Sequence, residues 1–130
     1  MEESLSGTLA IDLGNTNTVI AFQDQKDTNS ILVEIPNITS SPGVIPTAVW
    51  FEDPSKIPKI GISAHKMRYN SKSDLFFHSN FKRLIGNSLE INNQKNILNP
   101  SECGEKFFQI LWANIPHKDR KSTRLNSSHT

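Results

Sequence analysis

Cysteine, net charge and long apolar runs are all scarce in this chain. Cys103 is the single cysteine, so an internal disulfide framework is excluded, and a reducing compartment, the cytoplasm or its organellar equivalent, is the simplest expectation. Met1–Gly7 lacks the basic and apolar regions of a signal peptide, and no apolar run approaches membrane-spanning length. A net charge of +1 gives no electrostatic argument for nucleic acid or membrane lipid as a partner.

The supply of core residues is thin. A length of 130 residues predicts one small domain at most. Hydrophobic residues make up 35% of the chain, below the usual fraction for a globular domain. The histidines, His65, His78, His117 and His129, show no metal-ligand spacing. Cys103 lies on a predicted helix face, where an inert buried thiol is expected rather than a nucleophile.

The most informative stretch is Ala10–Thr18 (AIDLGNTNT). An apolar run brings the carboxylate of Asp12 to a tight turn at Gly14, where the backbone comes close to a ligand without a Cβ in the way. The turn residues Asn15, Thr16 and Asn17 add short donors, and successive backbone N–H groups form an anion-binding concavity. Asp12 is the expected magnesium ligand, directly or through water, against phosphate oxygens. An ordinary Asn/Gly-rich hairpin is the alternative.

Local patterns predict the remaining elements. Strands are predicted at Thr8–Asp12, Thr18–Asp24, Ile31–Ile35, Thr47–Phe51 and Lys59–Ile62, the first three as a β-meander. A short helix is predicted at Ser63–Tyr69 with Ser63 as N-cap, and Leu75–Ile85 has helix-like or turn-like spacing ended by Gly86.

The best local signal after the hairpin lies at Asn99–Glu102. Asn99 fits an N-cap, Pro100 the first helical position, and Glu102 completes a capping box. Pro116 is expected to stop the helix. Its predicted buried face carries Cys103, Phe107, Ile110, Leu111 and Asn114, and Phe107, Phe108 and Trp112 are expected to serve packing.

The last residues have a different character. Asp119–His129 (DRKSTRLNSSH) has no periodicity and no turn pattern, and it resembles one translated reading frame of a common sequencing adapter. Such a segment is excluded from fold reasoning, so residues 119–130 are predicted to be a non-native, disordered tail. Residues 1–118 are then expected to be the N-terminal part of a longer protein.

A second segment of interest is Phe81–Gly86 (FKRLIG), far downstream of the hairpin. Lys82 stands among apolar residues, which would fix its ammonium in place. A positioned cation neutralises charge that develops on a transferred phosphoryl group. The alternative is a surface lysine whose aliphatic stem covers apolar neighbours.

The hairpin followed by FKRLIG resembles the start of the seventy-kilodalton heat-shock chaperone family (DnaK-type). Between them, Ile45–Phe51 (IPTAVWF) is similar to the family's Thr-Pro-Ser strand, and Lys59–Ala64 (KIGISA) to its following glycine-containing segment. The resemblance covers about Thr8–Gly86. It implies an α/β (α+β, mixed-sheet) fold: part of an actin-like, ribonuclease-H-like ATPase lobe whose N-terminal β-meander carries the phosphate-binding hairpin.

The resemblance also implies roles and partners. Asp12 would organise magnesium and its waters, Gly14, Asn15, Thr16 and Asn17 would form the first phosphate loop, and Lys82 would be the catalytic lysine. The implied function is an ATP-binding, ATP-hydrolysing chaperone, with ATP or ADP and magnesium as ligands. Unfolded polypeptides and co-chaperones would be partners of the full-length protein.

Two departures from the family pattern stand out. Asn15 replaces the usual Thr, and the Arg ahead of the Thr-Pro-Ser strand has no counterpart near Val44. The second phosphate loop, the adenosine pocket and the peptide-binding domain are also absent from this sequence. Because phosphoryl transfer needs positioning by several elements, this chain alone is expected not to hydrolyse ATP measurably.

Three alternatives stay open. A rod-shape type of actin homologue carries a similar hairpin, and a sugar or acetate kinase shares the implied fold. The Lys82 segment counts against the actin homologue, because filament-forming relatives lack it, and it counts against the kinase as well. A diverged, nucleotide-free remnant is the third alternative.

Overall fold

The computed structural model describes residues 7–24, 30–71, 73–85 and 98–115, and the backbone of 123–127. Its elements are β1 (Gly7–Leu13), β2 (Asn17–Asp24), β3 (Ser30–Leu32), β4 (Val44–Pro46), β5 (Ala48–Trp50), β6 (Lys59–Ile60), α1 (Ile62–Asn70), β7 (Phe77–Ser79), a 3-10 turn at Lys82–Leu84, α2 (Pro100–Asn114) and β8 (Thr123–Ser127). The fold is mixed α and β, with two largely antiparallel sheets and two α-helices.

The first sheet is built on the β1–β2 hairpin. Its strand order is β3-β2-β1-β8, and β4 pairs with β2 beside β3. All pairings are antiparallel except that of β1 with β8. The first two predicted strands are therefore confirmed, and the turn between them lies at Gly14.

The second sheet has the order β6-β5-β7, with both pairings antiparallel. All three residues of its central strand β5 are buried. Val49 belongs to the main core, and Ala48 and Trp50 pack in a second cluster with Ala64 of α1.

The main core includes the inner face of the first sheet, and α2 packs mainly on β5, β6 and the 3-10 turn. Alternate residues of β1 point into this core, as expected for a strand with one buried face. The two sheets and α2 all contribute to it, with Leu9, Ile11, Ile20, Ile45, Val49, Ile60, Phe107 and Leu111 among its residues.

The helix at Pro100–Asn114 begins as predicted. Asn99 is the N-cap and the capping box with Glu102 is complete. Cys103, Phe107 and Leu111 are buried, as the pattern predicts. Ile110 is only partly buried, Asn114 is exposed, and Trp112 is 42% exposed, so the packed face is narrower than predicted. Pro116, the predicted stop, lies outside the described residues.

Three local predictions are wrong in detail. The third strand ends at Leu32, because beyond it Gly43 lies between β2 and Val33. Ile20 N donates to Gly43 O and Gly43 N donates to Val33 O, both at 2.8 Å. β4 therefore forms within Pro36–Pro46, a segment whose Pro, Ser and Gly residues predict a loop. For Leu75–Ile85 the helix-like interpretation is wrong, because Phe77–Ser79 forms β7 and adds to the edge of β5. The 3-10 turn at Lys82–Leu84 agrees with the turn-like alternative. Gly86 lies outside the described residues.

The N-cap of α1 is also different from the prediction. It is Gly61, at φ 62°, and no side chain caps this helix. A Cβ on Gly61 would collide with the carbonyl oxygen of Ile38, so the close approach requires glycine. Ser63 donates its hydroxyl to Asn37 O instead.

The C-terminal tail contains an element that the prediction of disorder did not include. Residues 123–127 form β8 alongside Leu9–Leu13 of β1. This pairing has a physical reason. The edge of β1 that faces away from β2 presents unpaired backbone N–H and C=O groups, to which an extended segment can hydrogen-bond.

Candidate phosphate-binding site

The hairpin turn is closed tightly. The β1–β2 ladder runs to the pair Leu13↔Thr18, and Gly14 N donates to Asn17 O at 3.1 Å. A Cβ at Gly14 would lie 2.4 Å from that same oxygen, which is backbone and cannot move aside cheaply. Gly14 is therefore required by the close approach of the turn's own backbone, whereas the sequence predicts a glycine there for the approach of a ligand.

Asp12 lies one residue before the end of β1, on the face of the sheet opposite the core. Its neighbours Ile11 and Leu13 are buried, and Asp12 itself is half-buried opposite Val19 of β2. Its Oδ1 atom is inaccessible to solvent and has no hydrogen-bond partner among the residues that the structure describes. A buried carboxylate oxygen without a donor or cation is costly, so this atom is suited to a ligand.

Asn15 carries a second such atom. Its Oδ1 is also buried, and it has no partner in the described part of the chain, although the residue lies in the turn. A carboxylate and an amide carbonyl are the hard oxygen ligands that Mg²⁺ prefers, and Mg²⁺ characteristically takes one or two protein ligands with phosphates and waters. The described residues contain no group of three or more His, Cys, Asp or Glu suited to a metal. The two oxygens of Asp12 and Asn15 are thus of the kind that magnesium takes, and the binding of magnesium here stays a prediction.

Thr16 and Asn17 are exposed at the tip of the turn. The backbone of the turn is tied to the next part of the fold by Thr47, whose N–H donates to Thr16 O at 2.9 Å. Asn17 lies opposite Pro46 of β4. The structure thus brings Asp12, Gly14, Asn15, Thr16 and Asn17 together at one end of the first sheet.

Lys82 follows a strand of the second sheet and not of the first sheet, to which the hairpin belongs. It begins the 3-10 turn that follows β7 of the second sheet, and it is half-buried. The preceding Phe81 is buried against Phe107 of α2, which fixes this turn on the core. In the part of the chain that the structure describes, no hydrogen bond or ion pair joins Lys82 to Asp12. Their convergence on one ligand stays a prediction, and Arg83 is exposed.

His78 is the titratable group with a shifted pKa closest in sequence to Lys82. Burial lowers the pKa of His78, and the negative charge of Glu102 opposes this in smaller measure. Its Nε2 atom is buried and has no partner. The sequence does not predict the burial of His78, because a strand as short as β7 does not reveal which of its faces is covered.

A surface cavity of about 530 Å³ lies elsewhere, beside α1. None of its lining residues belongs to the hairpin or to the 3-10 turn, and they include His65, Lys66, Arg68, Tyr69 and Asp74. Arg68 and Asp74 form an ion pair at 3.2 Å, so part of its charge is already neutralised. It is separate from the candidate phosphate site.

Sequence reasoning missed one buried pair near the hairpin. Thr18 Oγ1 and Thr47 Oγ1 lie 2.8 Å apart, and both residues are almost fully buried. No sequence signal predicts it, because two threonines 29 positions apart have no local pattern in common.

Comparison with known proteins adds no relatives: no family model matches this chain, and no curated protein matches it. Among the residues that the structure describes, no helix has the length and apolar character needed to cross a membrane.

Proposed function

We propose that this chain binds the phosphate groups of ATP with magnesium at the β1–β2 hairpin, as the first phosphate-binding part of an ATP-hydrolysing chaperone of the seventy-kilodalton heat-shock type. The fold of the whole protein would be the actin-like ATPase fold. The two buried, unpartnered oxygens of Asp12 and Asn15, at either side of Gly14, are the observation that carries the proposal.

The local geometry supports phosphate binding in two ways. Asp12 and Asn15 offer oxygens that lack a protein donor, which suits a hydrated cation. The turn between them is narrow, because Gly14 N bonds Asn17 O, and it leaves the exposed tip at Thr16 open to an anion. An ordinary hairpin would gain nothing from burying two oxygens without partners.

The chaperone assignment depends on the FKRLIG segment. Lys82 is held by the packing of Phe81 against Phe107, which suits a lysine with a fixed position. In the longer protein, Lys82 would stabilise the transferred phosphate or orient the attacking water, and unfolded polypeptides and co-chaperones would be its partners. The uninterrupted reading frame downstream of Pro116 tests this part. A second phosphate hairpin of the Asp-Gly-Gly type supports it, and its absence contradicts it.

Phosphate binding is tested on the chain itself by nuclear magnetic resonance. Backbone amide signals of the isotope-labelled chain are followed while ATP is added with and without magnesium. We expect saturable shifts at Gly14, Thr16 and Asn17, and we expect Asp12→Asn to remove their magnesium dependence. Tripolyphosphate with magnesium should move the same signals, whereas adenosine should not.

The matched control is Asp74→Asn, which removes an exposed carboxylate remote from the hairpin. It should leave the shifts unchanged. Shifts that are absent at the hairpin, or that persist with their magnesium dependence in Asp12→Asn, contradict the proposed function. We expect no ATP turnover by this chain alone, and turnover that depends on Lys82 would refute that expectation.

A further inference from the structure

Thr47 joins the two sheets and also forms hydrogen bonds with the hairpin of the candidate site. Thr47 lies between β4 and β5 and is 1% exposed. Its N–H donates to Thr16 O at 2.9 Å, and its hydroxyl shares a hydrogen bond with Thr18 Oγ1 at 2.8 Å. Both bonds reach the hairpin, one at its turn and one at the start of β2.

The backbone bond of Thr47 continues the β2–β4 ladder into the turn. Hydrogen-bonded pairs alternate along an antiparallel ladder, and the bonds of Ile20 N to Gly43 O and of Thr47 N to Thr16 O belong to that alternation. Pro46, opposite Asn17, falls at a position where no N–H is needed for the pairing. The Gly14–Asn17 bond and the Thr47–Thr16 bond are the described backbone hydrogen bonds that hold the turn residues.

The Thr18–Thr47 pair lies on the opposite face of the sheet from Asp12. Thr18 pairs with Leu13 and is fully buried, whereas Asp12 and its partner Val19 are on the other face. The two hydroxyls therefore lie on the core side and do not contact a ligand at the Asp12 carboxylate.

Core stability alone does not require these hydroxyls. Removing one leaves the other buried without a partner, which is costly, but replacing both with apolar groups of the same shape is nearly neutral or stabilising. A hydrogen bond differs from apolar contact in being directional, so it fixes the distance between the start of β2 and the start of β5.

We propose that Thr47, with Thr18, is a positioning residue that sets the register of the phosphate-binding turn relative to the core. This inference depends on the proposed function for its effect on ligand binding. Its effect on the turn itself does not depend on a ligand.

The test uses the full chain and four variants: Thr47→Val, Thr18→Val, the double variant, and Thr47→Ser. Two quantities are measured beside the unfolding midpoint: the apparent Kd for ATP with magnesium, and amide hydrogen exchange at Gly14 and residue 47. Amides of Ile11 and Ile20, inside the ladder, are the internal reference.

We expect the double variant to keep the wild-type unfolding midpoint while its Kd for ATP with magnesium rises about fivefold or more. Exchange at Gly14 and residue 47 should speed up relative to Ile11 and Ile20. Thr47→Ser keeps the hydroxyl, so it should restore the Kd to within about twofold of wild type.

The outcomes separate the two proposals. If the double variant is as stable as wild type and changes neither Kd nor exchange, the positioning role is overturned. If Thr47→Ser behaves like the double variant, the hydroxyl is not responsible and the role is overturned as well. If the wild type binds no ATP, the proposed function fails, and the exchange rates alone then support or overturn the positioning of the turn.

Discussion

Asn99 and Glu102 exchange two hydrogen bonds at the start of α2. Glu102 N donates to Asn99 Oδ1 at 2.8 Å, and Asn99 N donates to Glu102 Oε1 at 3.0 Å. Each bond satisfies an N–H that the helix leaves without an intrahelical partner. The pair therefore fixes where α2 begins, and α2 carries Phe107 and Leu111 into the main core.

The first prediction concerns this cap. Asn99→Ala removes the acceptor for Glu102 N, and we expect it to lower the free energy of unfolding by about 1 kcal/mol. Denaturant unfolding measures the change. Gln109→Ala is the control, because its exposed side chain bonds Glu105 within α2 and lies away from the cap. Equal losses in the two variants would show that the cap does not contribute specifically.

Gly104 offers a stabilising change in the same helix. A Cβ at this position would lie 3.2 Å from Ile85 Cδ1, which is the free end of a side chain that is 42% exposed and able to shift. Glycine inside a helix costs about 0.5–1 kcal/mol relative to alanine, so Gly104→Ala should raise the free energy of unfolding by up to that amount. A lowered unfolding midpoint would mean that Ile85 cannot move aside.

The sequence predicts those parts of the fold that depend on neighbours along the chain. The turn at Gly14 and the capping box at Asn99 are both specified within a few residues, and both are present as predicted. Asp12 and Asn15 lie on either side of Gly14, and their binding of magnesium or phosphate stays a prediction.

Parts that depend on distant segments could not be predicted. β4 forms by pairing with the edge of β2, and β7 forms by pairing with the edge of β5. The local sequence pattern of β4 and β7 does not reveal these distant partner strands. The Thr18–Thr47 pair likewise exists only once β4 lies on β2. Tertiary pairing overrides local propensity at each of these positions.

The third prediction concerns pH. His78 is half-buried with an unpartnered Nε2, and burial lowers its pKa from the ordinary value of 6.5. The unfolded chain therefore takes up a proton at a higher pH than the folded one, and the free energy of unfolding should fall as pH decreases below 6.5 toward the folded pKa.

Unfolding in denaturant above and below pH 6.5 measures this dependence. His78→Leu removes the titrating group, so its stability should vary less with pH over the same interval. His65→Gln, on the exposed surface of α1, is the control and should keep the wild-type dependence. An unchanged dependence in His78→Leu would assign the effect to other groups.

The last prediction joins fold and site at Gly14. A methyl group there would lie 2.4 Å from Asn17 O, and the obstacle is backbone, whereas the obstacle at Gly104 is a mobile side chain. Gly14→Ala should therefore open the turn and lower the free energy of unfolding by about 1–3 kcal/mol, as for other overpacked sites. Because opening the turn also moves Asn15 away from Asp12, the magnesium-dependent amide shifts caused by ATP should disappear from the hairpin. Gly104→Ala should keep them. If Gly14→Ala retains both stability and shifts, the tight turn is not what holds the phosphate-binding groups.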